Sequence, residues 1–245
     1  QVDAISAPEL VYPEAVYLHE GQTYLVRELD WQGKVAYVER KEVDYYTQAV
    51  LEADLRAGQV EAEKDVQGTR VLFAEADVTW QTVMFKKIKF YQLDSIGYGA
   101  VDLPPQTLET TALALVPQKP HLDKVRQWNR NPHDALAAVR NVAIHTLPLF
   151  AMCDKADIGG IVDSANLGTP AIFIYDRHPG GLGFAQKGYE VVEQLLEACL
   201  SLVRECPCED GCPSCVGLPI LRPGQHVDPD LGRGYPIPDK EGALV

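Results

Sequence analysis

Four of the six cysteines in this 245-residue chain lie within ten positions of one another. They are Cys206, Cys208, Cys212 and Cys215, with the spacing C-x-C-x-x-x-C-x-x-C. Short loops of this kind bring sulfur atoms within a few ångströms of each other, so four of them can bind one metal ion. The glycine and two prolines between the cysteines favour the turns that such a loop requires. The spacing therefore predicts a metal site at residues 206–215.

Zinc is the metal that this ligand set favours. Zinc prefers four thiolates in closed tetrahedral sites that leave no position for water, so the ion would be structural rather than catalytic. A four-cysteine iron–sulfur cluster uses the same thiolate chemistry and is the alternative, and a reduced loop without metal is a third interpretation. Cys153 follows the first expected helix of this region, and Cys199 lies on the apolar face of the second. Both positions indicate buried small hydrophobic residues rather than metal ligands.

Two groups of basic residues interrupt an otherwise acidic sequence. The first group lies on an expected strand and consists of Lys86, Lys87 and Lys89. The second group surrounds Trp128 and consists of Lys119, Lys124, Arg126 and Arg130. Basic side chains beside an aromatic ring can bind single-stranded DNA through its phosphates and by base stacking, although lysines on a strand face are usually only solvated. Both groups are candidates for DNA contact.

Lys187 is a third candidate because it follows the glycine-rich turn Pro179-Gly-Gly-Leu-Gly183. A strand, such a turn and a helix in this order can offer backbone N–H groups to a DNA phosphate. The sequence matches neither the dinucleotide fingerprint nor a P-loop. It therefore favours the other interpretation, in which the glycines let the helix pack closely on its strand.

Charge and composition exclude several classes of protein. The chain has 22 Lys and Arg against 35 Asp and Glu, a net charge of −13, so alone it is expected to bind nucleic acid weakly. No apolar run approaches the ~18 to 20 residues that cross a bilayer, which argues against a membrane protein. The chain starts at Gln1 without a leader, so we expect a cytoplasmic location and a piece of a longer protein.

Catalysis by this piece alone is not indicated. The six histidines are scattered, and we find no nucleophile with a base beside it. The phosphate-binding pattern G-x-x-x-x-G-K-[ST] is missing from the sequence, so we expect no ATPase activity from it.

The pattern of apolar residues, turns and helix caps predicts an α+β protein of two domains, whose strands and helices position these residues. Residues 1–116 show short period-two apolar runs broken by turns, which predicts a β-rich connecting domain, a small barrel or curled sheet, with a longer hairpin turning at Trp80-Gln81. Residues 117–245 predict an α/β zinc-binding domain. Its expected elements are a helix from Pro132 capped by Asn131, a buried strand at 171–175, a helix from Phe184 into the cysteine loop, and a last helix from Lys240.

The cysteine motif carries a resemblance to a known family. Together with Pro179–Gly183 and Asp157-Ile-Gly-Gly160, it resembles the C-terminal zinc-binding domain of superfamily 2 DEAD/DEAH-box DNA helicases of the mitomycin repair factor A type. The stretches 16–26 and 43–47 resemble the segment that joins the second motor domain to that zinc domain. The resemblance covers nearly the whole chain. It implies an accessory C-terminal region of an ATP-dependent 3′–5′ helicase of DNA repair, which meets DNA through the parent helicase and has the upstream motor domains of the same chain as partners.

A second hypothesis stays open because the motor motifs are missing from this sequence. The chain could be a non-motor, zinc-bearing binding subunit that works beside a separate helicase, in DNA repair or in phage defence. The residues that precede Gln1 in the parent protein would separate the two hypotheses.

Overall fold

The computed structural model describes residues 1–91, 95–209, 211–217 and 238–245. It combines helices with antiparallel strands, which confirms the expected α+β class. The strands are β1 (Val16–His19), β2 (Gln22–Asp30), β3 (Val35–Arg40), β4 (Tyr45–Val66), β5 (Thr69–Lys89), β6 (Ser95–Ala100), β7 (Gln106–Pro117), β8 (Ile158–Asp163) and β9 (Ala171–Asp176). The helices are α1 (Ala7–Leu10), α2 (Lys119–Gln127), α3 (Pro132–Thr146), α4 (Phe184–Glu190), α5 (Val192–Glu205) and α6 (Lys240–Ala243), with single 3₁₀ turns at Leu147–Leu149 and Lys155–Asp157. None of the described helices is both long and apolar enough to span a membrane.

The described residues form two compact units that are not contiguous in sequence. The first unit comprises Gln1–Ala53 and Thr79–Gln106, and the second comprises Asp54–Val78 with the described residues from Thr107 onward. Strands β4 and β5 each contribute residues to both units, because each strand is more than 20 residues long. The expected division into domains between residues 116 and 117 stays a prediction.

The first unit contains a three-stranded antiparallel sheet in the order β1-β2-β3. His19 pairs with Gln22, and the two residues between them, Glu20 and Gly21, have φ values of 49° and 74°. Both values lie in the left-handed region that a two-residue hairpin turn requires, which confirms the turn expected there. Tyr12, Val26 and Phe85 lie at the centre of the unit's apolar core.

The expected hairpin at Trp80-Gln81 is wrong, because β5 runs through both residues without a turn. Neither residue favours a turn, and side chains continue to alternate there, with Val78, Trp80 and Thr82 all buried. The Thr82 hydroxyl is satisfied by donating to the carbonyl of Pro8 at 2.8 Å. The hairpin turn instead lies at Gln67-Gly68, with φ values of 51° and 80°, where β4 ends and β5 begins.

The second unit contains β8, β9 and nearly all of β7, which belong to a sheet with the strand order β4-β5-β7-β9-β8. Strand β6 pairs with the part of β5 that lies in the first unit. Strand β9 pairs antiparallel with both β7 and β8, and all six of its residues are buried, as its apolar sequence predicts. Helix α3 begins at Pro132, and the Asn131 side chain accepts a hydrogen bond from the N–H of His133, which confirms the predicted cap. The core packs residues of α3, α5 and β9 together.

Candidate metal centre and candidate DNA-contacting residues

Helix α5 positions the start of the cysteine loop. Val192, Leu195 and Val203 bury one face of α5 in the core of the second unit, so the end of the helix is held in place. The helix ends directly before Cys206, whose backbone is extended. The carbonyl of Cys212 then accepts hydrogen bonds from the N–H groups of Cys215 (3.1 Å) and Val216 (3.0 Å). This turn brings Cys215 back toward the other cysteines.

The four sulfur atoms converge on one point and lie within 4.8 Å of one another. The Sγ–Sγ distances are 3.5 Å for Cys206–Cys208, 3.6 Å for Cys206–Cys212, 3.4 Å for Cys208–Cys215 and 3.7 Å for Cys212–Cys215. A zinc ion about 2.3 Å from four tetrahedrally placed sulfurs implies S–S separations of about 3.8 Å. All four thiols are free rather than joined in disulfides. The donors therefore fit a zinc ion in number, type and spacing.

The thiols at the end of the loop differ in acidity. The backbone N–H of Cys215, together with the Cys206 thiol, lowers the pKa of Cys212 to about 6. Burial raises the pKa of Cys215 to about 12. A dication held by all four sulfurs requires Cys215 to lose its proton, so metal binding at this loop releases protons.

The other two cysteines lie outside this cluster. Cys199 is 5% exposed in the core of the second unit, where burial raises its pKa to about 11. Cys153 is half-buried and packs against the same core. Within the described part of the chain neither belongs to a group of side chains that could hold a metal, as their apolar surroundings in the sequence predict.

Two features beside the cysteine loop were not predicted from the sequence. Nζ of Lys240, at the start of α6, donates hydrogen bonds to the carbonyls of Cys206 (2.8 Å) and Cys208 (2.6 Å). In addition, Nδ2 of Asn141 in α3 donates to the carbonyl of Val216 at 2.9 Å. Lys240 is separated from the loop by more than 20 residues and Asn141 by more than 60, so no local sequence pattern could have identified either contact.

The glycine-rich turn is occupied by a side chain of the chain itself. The carboxylate of Asp176, which is fully buried, accepts hydrogen bonds from the N–H groups of Leu182 (2.6 Å), Phe184 (3.1 Å) and Ala185 (2.7 Å). These are the donors that a bound phosphate would use at the start of α4. The arrangement supports a structural role for the turn, as the sequence favoured. Lys187 is exposed and pairs with Glu190 at 3.4 Å.

The three lysines of β5 differ in exposure. Lys86 is 6% exposed, with its ammonium 5.9 Å from the centre of the Tyr98 ring. Nζ of Lys87 donates to the Glu14 carboxylate at 2.8 Å. Lys89 is half-buried. DNA contact at these lysines stays a prediction, and burial leaves Lys86 with the least surface to offer a phosphate.

The basic residues around Trp128 differ in their contacts within the described ranges of the chain. Arg126 pairs with Asp123 at 2.8 Å, and Arg130 forms ion pairs with Asp239 and Glu241. Lys124 lies 5.6 Å from the centre of the Trp128 ring, which is 52% exposed. Lys119 is exposed at the start of α2. Lys119, Lys124 and Trp128 are therefore the members of this group best placed to meet a DNA strand, which stays a prediction.

The first unit also contains a cavity that sequence reasoning missed. Its volume is about 820 Å³, and the residues that line it include Tyr17, Tyr24, Trp31 and Lys34. The lining side chains come from the three-stranded sheet and from the first residues of the chain, which share no sequence motif.

Comparisons with known proteins bear on the metal centre directly. Residues 139–216, which include the second half of α3, β9, α5 and all four cysteines, match the family model MZB, the MrfA Zn-binding domain. This match supports zinc as the metal of the loop. It also places α3 and the cysteine loop in one family unit, as their contacts in the structure do.

Longer matches extend over most of the chain. The sequence is 36% identical over 222 residues, 90% of this chain, to an uncharacterized ATP-dependent helicase, YprA, of Bacillus subtilis (strain 168), of which the match covers 29%. It is 38% identical over 84 residues, 32% of this chain, to the uncharacterized protein MJ1572.1 of Methanocaldococcus jannaschii, of which the match covers 75%. A crystal structure of the DUF1998 helicase MrfA bound to DNA matches with a TM-score of 0.58 and 33% identity, over 99% of this chain and 30% of that one. The chain thus spans less than a third of either helicase.

Proposed function

We propose that this chain, which belongs to the MrfA-like family of superfamily 2 helicases as a C-terminal region, serves an ATP-dependent 3′–5′ DNA helicase in DNA repair. The observation that carries the proposal is the 36% identity to an ATP-dependent helicase over 90% of the chain. DNA is the proposed partner, since the related MrfA was crystallised with DNA. A cytoplasmic location belongs to the same proposal.

The proposed role of the zinc is structural. Four cysteine donors fill a tetrahedral site, so no coordination position remains to activate water or substrate. The loop instead packs Cys215 and Val216 against Ala138 of α3, while Asn141 of the same helix binds the Val216 carbonyl. A metal at this loop would therefore tie the end of α5 to α3 and give the helicase a rigid surface beside its motor.

ATP hydrolysis is assigned to motor domains elsewhere in the parent protein. The sequence of this chain lacks a P-loop, whose backbone and lysine would hold the nucleotide phosphates. The contribution of this chain is therefore to fold, to position DNA or the motor, and to hold zinc. Lys119, Lys124 and Trp128 are proposed to contact the DNA strand.

The test uses the parent protein with its motor. We expect DNA-stimulated ATP hydrolysis, and unwinding of a duplex with a 3′ single-stranded tail in preference to one with a 5′ tail. A Cys208→Ser variant should lose unwinding more strongly than ATP hydrolysis, because the motor keeps its nucleotide site while the zinc-bearing region loses its order. Absence of ATP hydrolysis, or preference for the 5′ tail, would refute the proposal.

A second candidate function is a zinc-bearing binding subunit without a motor, acting beside a separate helicase in DNA repair or phage defence. The favouring observation is the relative MJ1572.1, because the 84 matched residues account for 75% of it and leave little chain for a motor. A parent protein without ATPase activity that nevertheless binds a helicase with measurable affinity would establish this function instead.

A further inference from the structure

We propose that Lys240 is a positioning residue of the metal site, whose ammonium group compensates the negative charge of the four thiolates and fixes the first two cysteines of the loop. The inference rests on the zinc site proposed above and extends it to a residue 25 positions beyond Cys215.

The ammonium group of Lys240 meets three acceptors of the cysteine loop at once. It donates to the carbonyl of Cys206 at 2.8 Å and to the carbonyl of Cys208 at 2.6 Å. It also lies 3.5 Å from Sγ of Cys208, within hydrogen-bonding range of sulfur. A lysine ammonium has three N–H donors, and these three acceptors match that number. The two carbonyls belong to the residues whose side chains supply two of the four sulfurs, so the contact fixes their backbone spacing.

Burial makes this contact costly unless the charge is compensated. Lys240 is 7% exposed, and lysine is among the residues that are least often buried without a charged partner. Two peptide carbonyls offer only partial negative charge. A zinc ion with four thiolates carries a net charge of −2, because four negative sulfurs outweigh the dication. The loaded site therefore supplies the negative charge that a buried ammonium group requires, and the ammonium group in turn stabilises the thiolates.

The segment around Lys240 is built to hold it against the loop. Asp239 caps α6 by accepting a hydrogen bond from the N–H of Gly242 at 3.0 Å. Arg130, which directly precedes the cap of α3, forms ion pairs with both Asp239 and Glu241, the two neighbours of Lys240. A Cβ atom at Gly242 would lie 2.8 Å from Cβ of Ala135 in α3, so α6 and α3 approach closely. These contacts fix the backbone on either side of Lys240 and leave its side chain directed at the cysteines.

Two measurable consequences follow from charge compensation at Cys208. A group that donates to metal-bound thiolates or their backbone raises metal affinity, and loss of such outer contacts typically costs about 10- to 100-fold in affinity. A zinc-bound sulfur is already ionised, and its nucleophilicity falls when it shares its charge with an ammonium group, so alkylating reagents should attack it more slowly.

The experiment compares four forms of the 245-residue chain loaded with zinc: wild type, Lys240→Met, Lys240→Arg and Lys41→Met. Methionine keeps the length of the lysine stem and removes its charge and donors. Arginine keeps the positive charge and the N–H donors. Lys41 is exposed and belongs to the first unit, so Lys41→Met removes the same formal charge without changing a residue of the unit that contains the cysteines. The readouts are the zinc dissociation constant from competition with a chelator, the rate of zinc release during treatment with N-ethylmaleimide, and the thermal midpoint with zinc and after zinc removal.

We expect Lys240→Met to weaken zinc binding by about 10- to 100-fold and to speed zinc release, with a larger fall in thermal midpoint for the zinc-loaded protein than for the stripped one. Lys41→Met should behave as wild type, and Lys240→Arg, which keeps the charge in a bulkier planar group, should lose less than about tenfold in affinity. Unchanged affinity and release in Lys240→Met would overturn the role of Lys240, as would an equal fall in midpoint with and without zinc, which is the result expected of packing alone.

Three further outcomes keep the proposals separate. If Lys240→Met fails to fold, the arginine variant decides: a zinc affinity less than about tenfold below wild type supports charge compensation, and a loss in the range expected when the contact is removed, about 10- to 100-fold, overturns it. If the wild-type chain itself retains no zinc after purification and reloading, the proposed zinc site fails and this inference fails with it. If wild type retains zinc and the Lys240 variants match it, only this inference fails.

Discussion

Replacement of Cys212 by serine tests the metal site most directly. The change removes one of four sulfur donors and keeps the size of the side chain nearly constant. Structural zinc sites of small domains contribute about 10–16 kcal/mol of apparent binding free energy at neutral pH, so one of four equivalent donors accounts for roughly 3–4 kcal/mol. Because about 1.4 kcal/mol corresponds to a tenfold change, zinc affinity should fall by roughly two to three orders of magnitude.

The structure indicates where this loss should appear. The main core of the second unit, which includes Leu113, Ile174 and Leu195, contains no residue of the cysteine loop. The loop packs instead in a small separate cluster with Ala138 and Ala243. We therefore expect amides of residues 206–217 and 238–245 to lose protection against hydrogen exchange, while amides of β9 keep theirs.

The assay combines zinc content after dialysis against a weak chelator with hydrogen exchange measured by mass spectrometry. Cys153→Ser is the matched control, since it makes the same chemical change at a half-buried cysteine outside the cluster. Wild-type zinc content and loop protection in Cys212→Ser would show that the site assignment is wrong. Loss of protection in β9 as well would show that the loop is not separable from the main core.

Three other predictions concern the metal, the glycine turn and DNA. The purified chain should be colourless and hold about one zinc per chain by metal analysis, whereas visible absorption with bound iron would favour an iron–sulfur cluster. Asp176→Ala should lower the free energy of unfolding by about 3–5 kcal/mol, because three N–H donors of the turn lose a charged acceptor. Asp77→Ala, at an exposed position, is the control, and equal stability of the two variants in denaturant titrations would contradict the prediction. Joint replacement of Lys119 and Lys124 by glutamine should make the plot of log binding constant for single-stranded DNA against log salt concentration shallower by about 1.4, since each phosphate contact contributes about 0.7 to the slope. An unchanged slope would show that neither lysine contacts a DNA phosphate.

The parts of this molecule that could be predicted from sequence are those whose cause is local. The ten-residue cysteine run contains all four donors, so its convergence requires only two short turns. The cap of α3 depends on Asn131, Pro132 and His133 alone. The turn at Glu20-Gly21 has glycine at one of its two positive-φ positions. In each case the deciding interaction spans only a few positions, and residue type is enough to anticipate it.

The errors have a different physical origin. Strands β4 and β5 are 22 and 21 residues long, far beyond the usual strand, so a search for short strands divided them. The hairpin turn at Gln67-Gly68 carried a glycine signal that could have located the break correctly. Asp176 could not be recognised as the partner of the glycine turn, because a buried aspartate at a strand end is indistinguishable in sequence from a solvated one.

The distances along the chain also suggest an order of assembly at the metal site. The four cysteines span ten residues, so closing their loop costs little chain entropy, whereas Lys240 must close a loop of 32 residues to reach Cys208. The ammonium group gains most from the site once the thiolates are ionised, which zinc brings about. We therefore expect the cysteine loop to bind zinc without the 238–245 segment, and that segment to dock only on a loaded loop. Zinc removal should then release α6 from α3, although none of the four cysteines belongs to either helix.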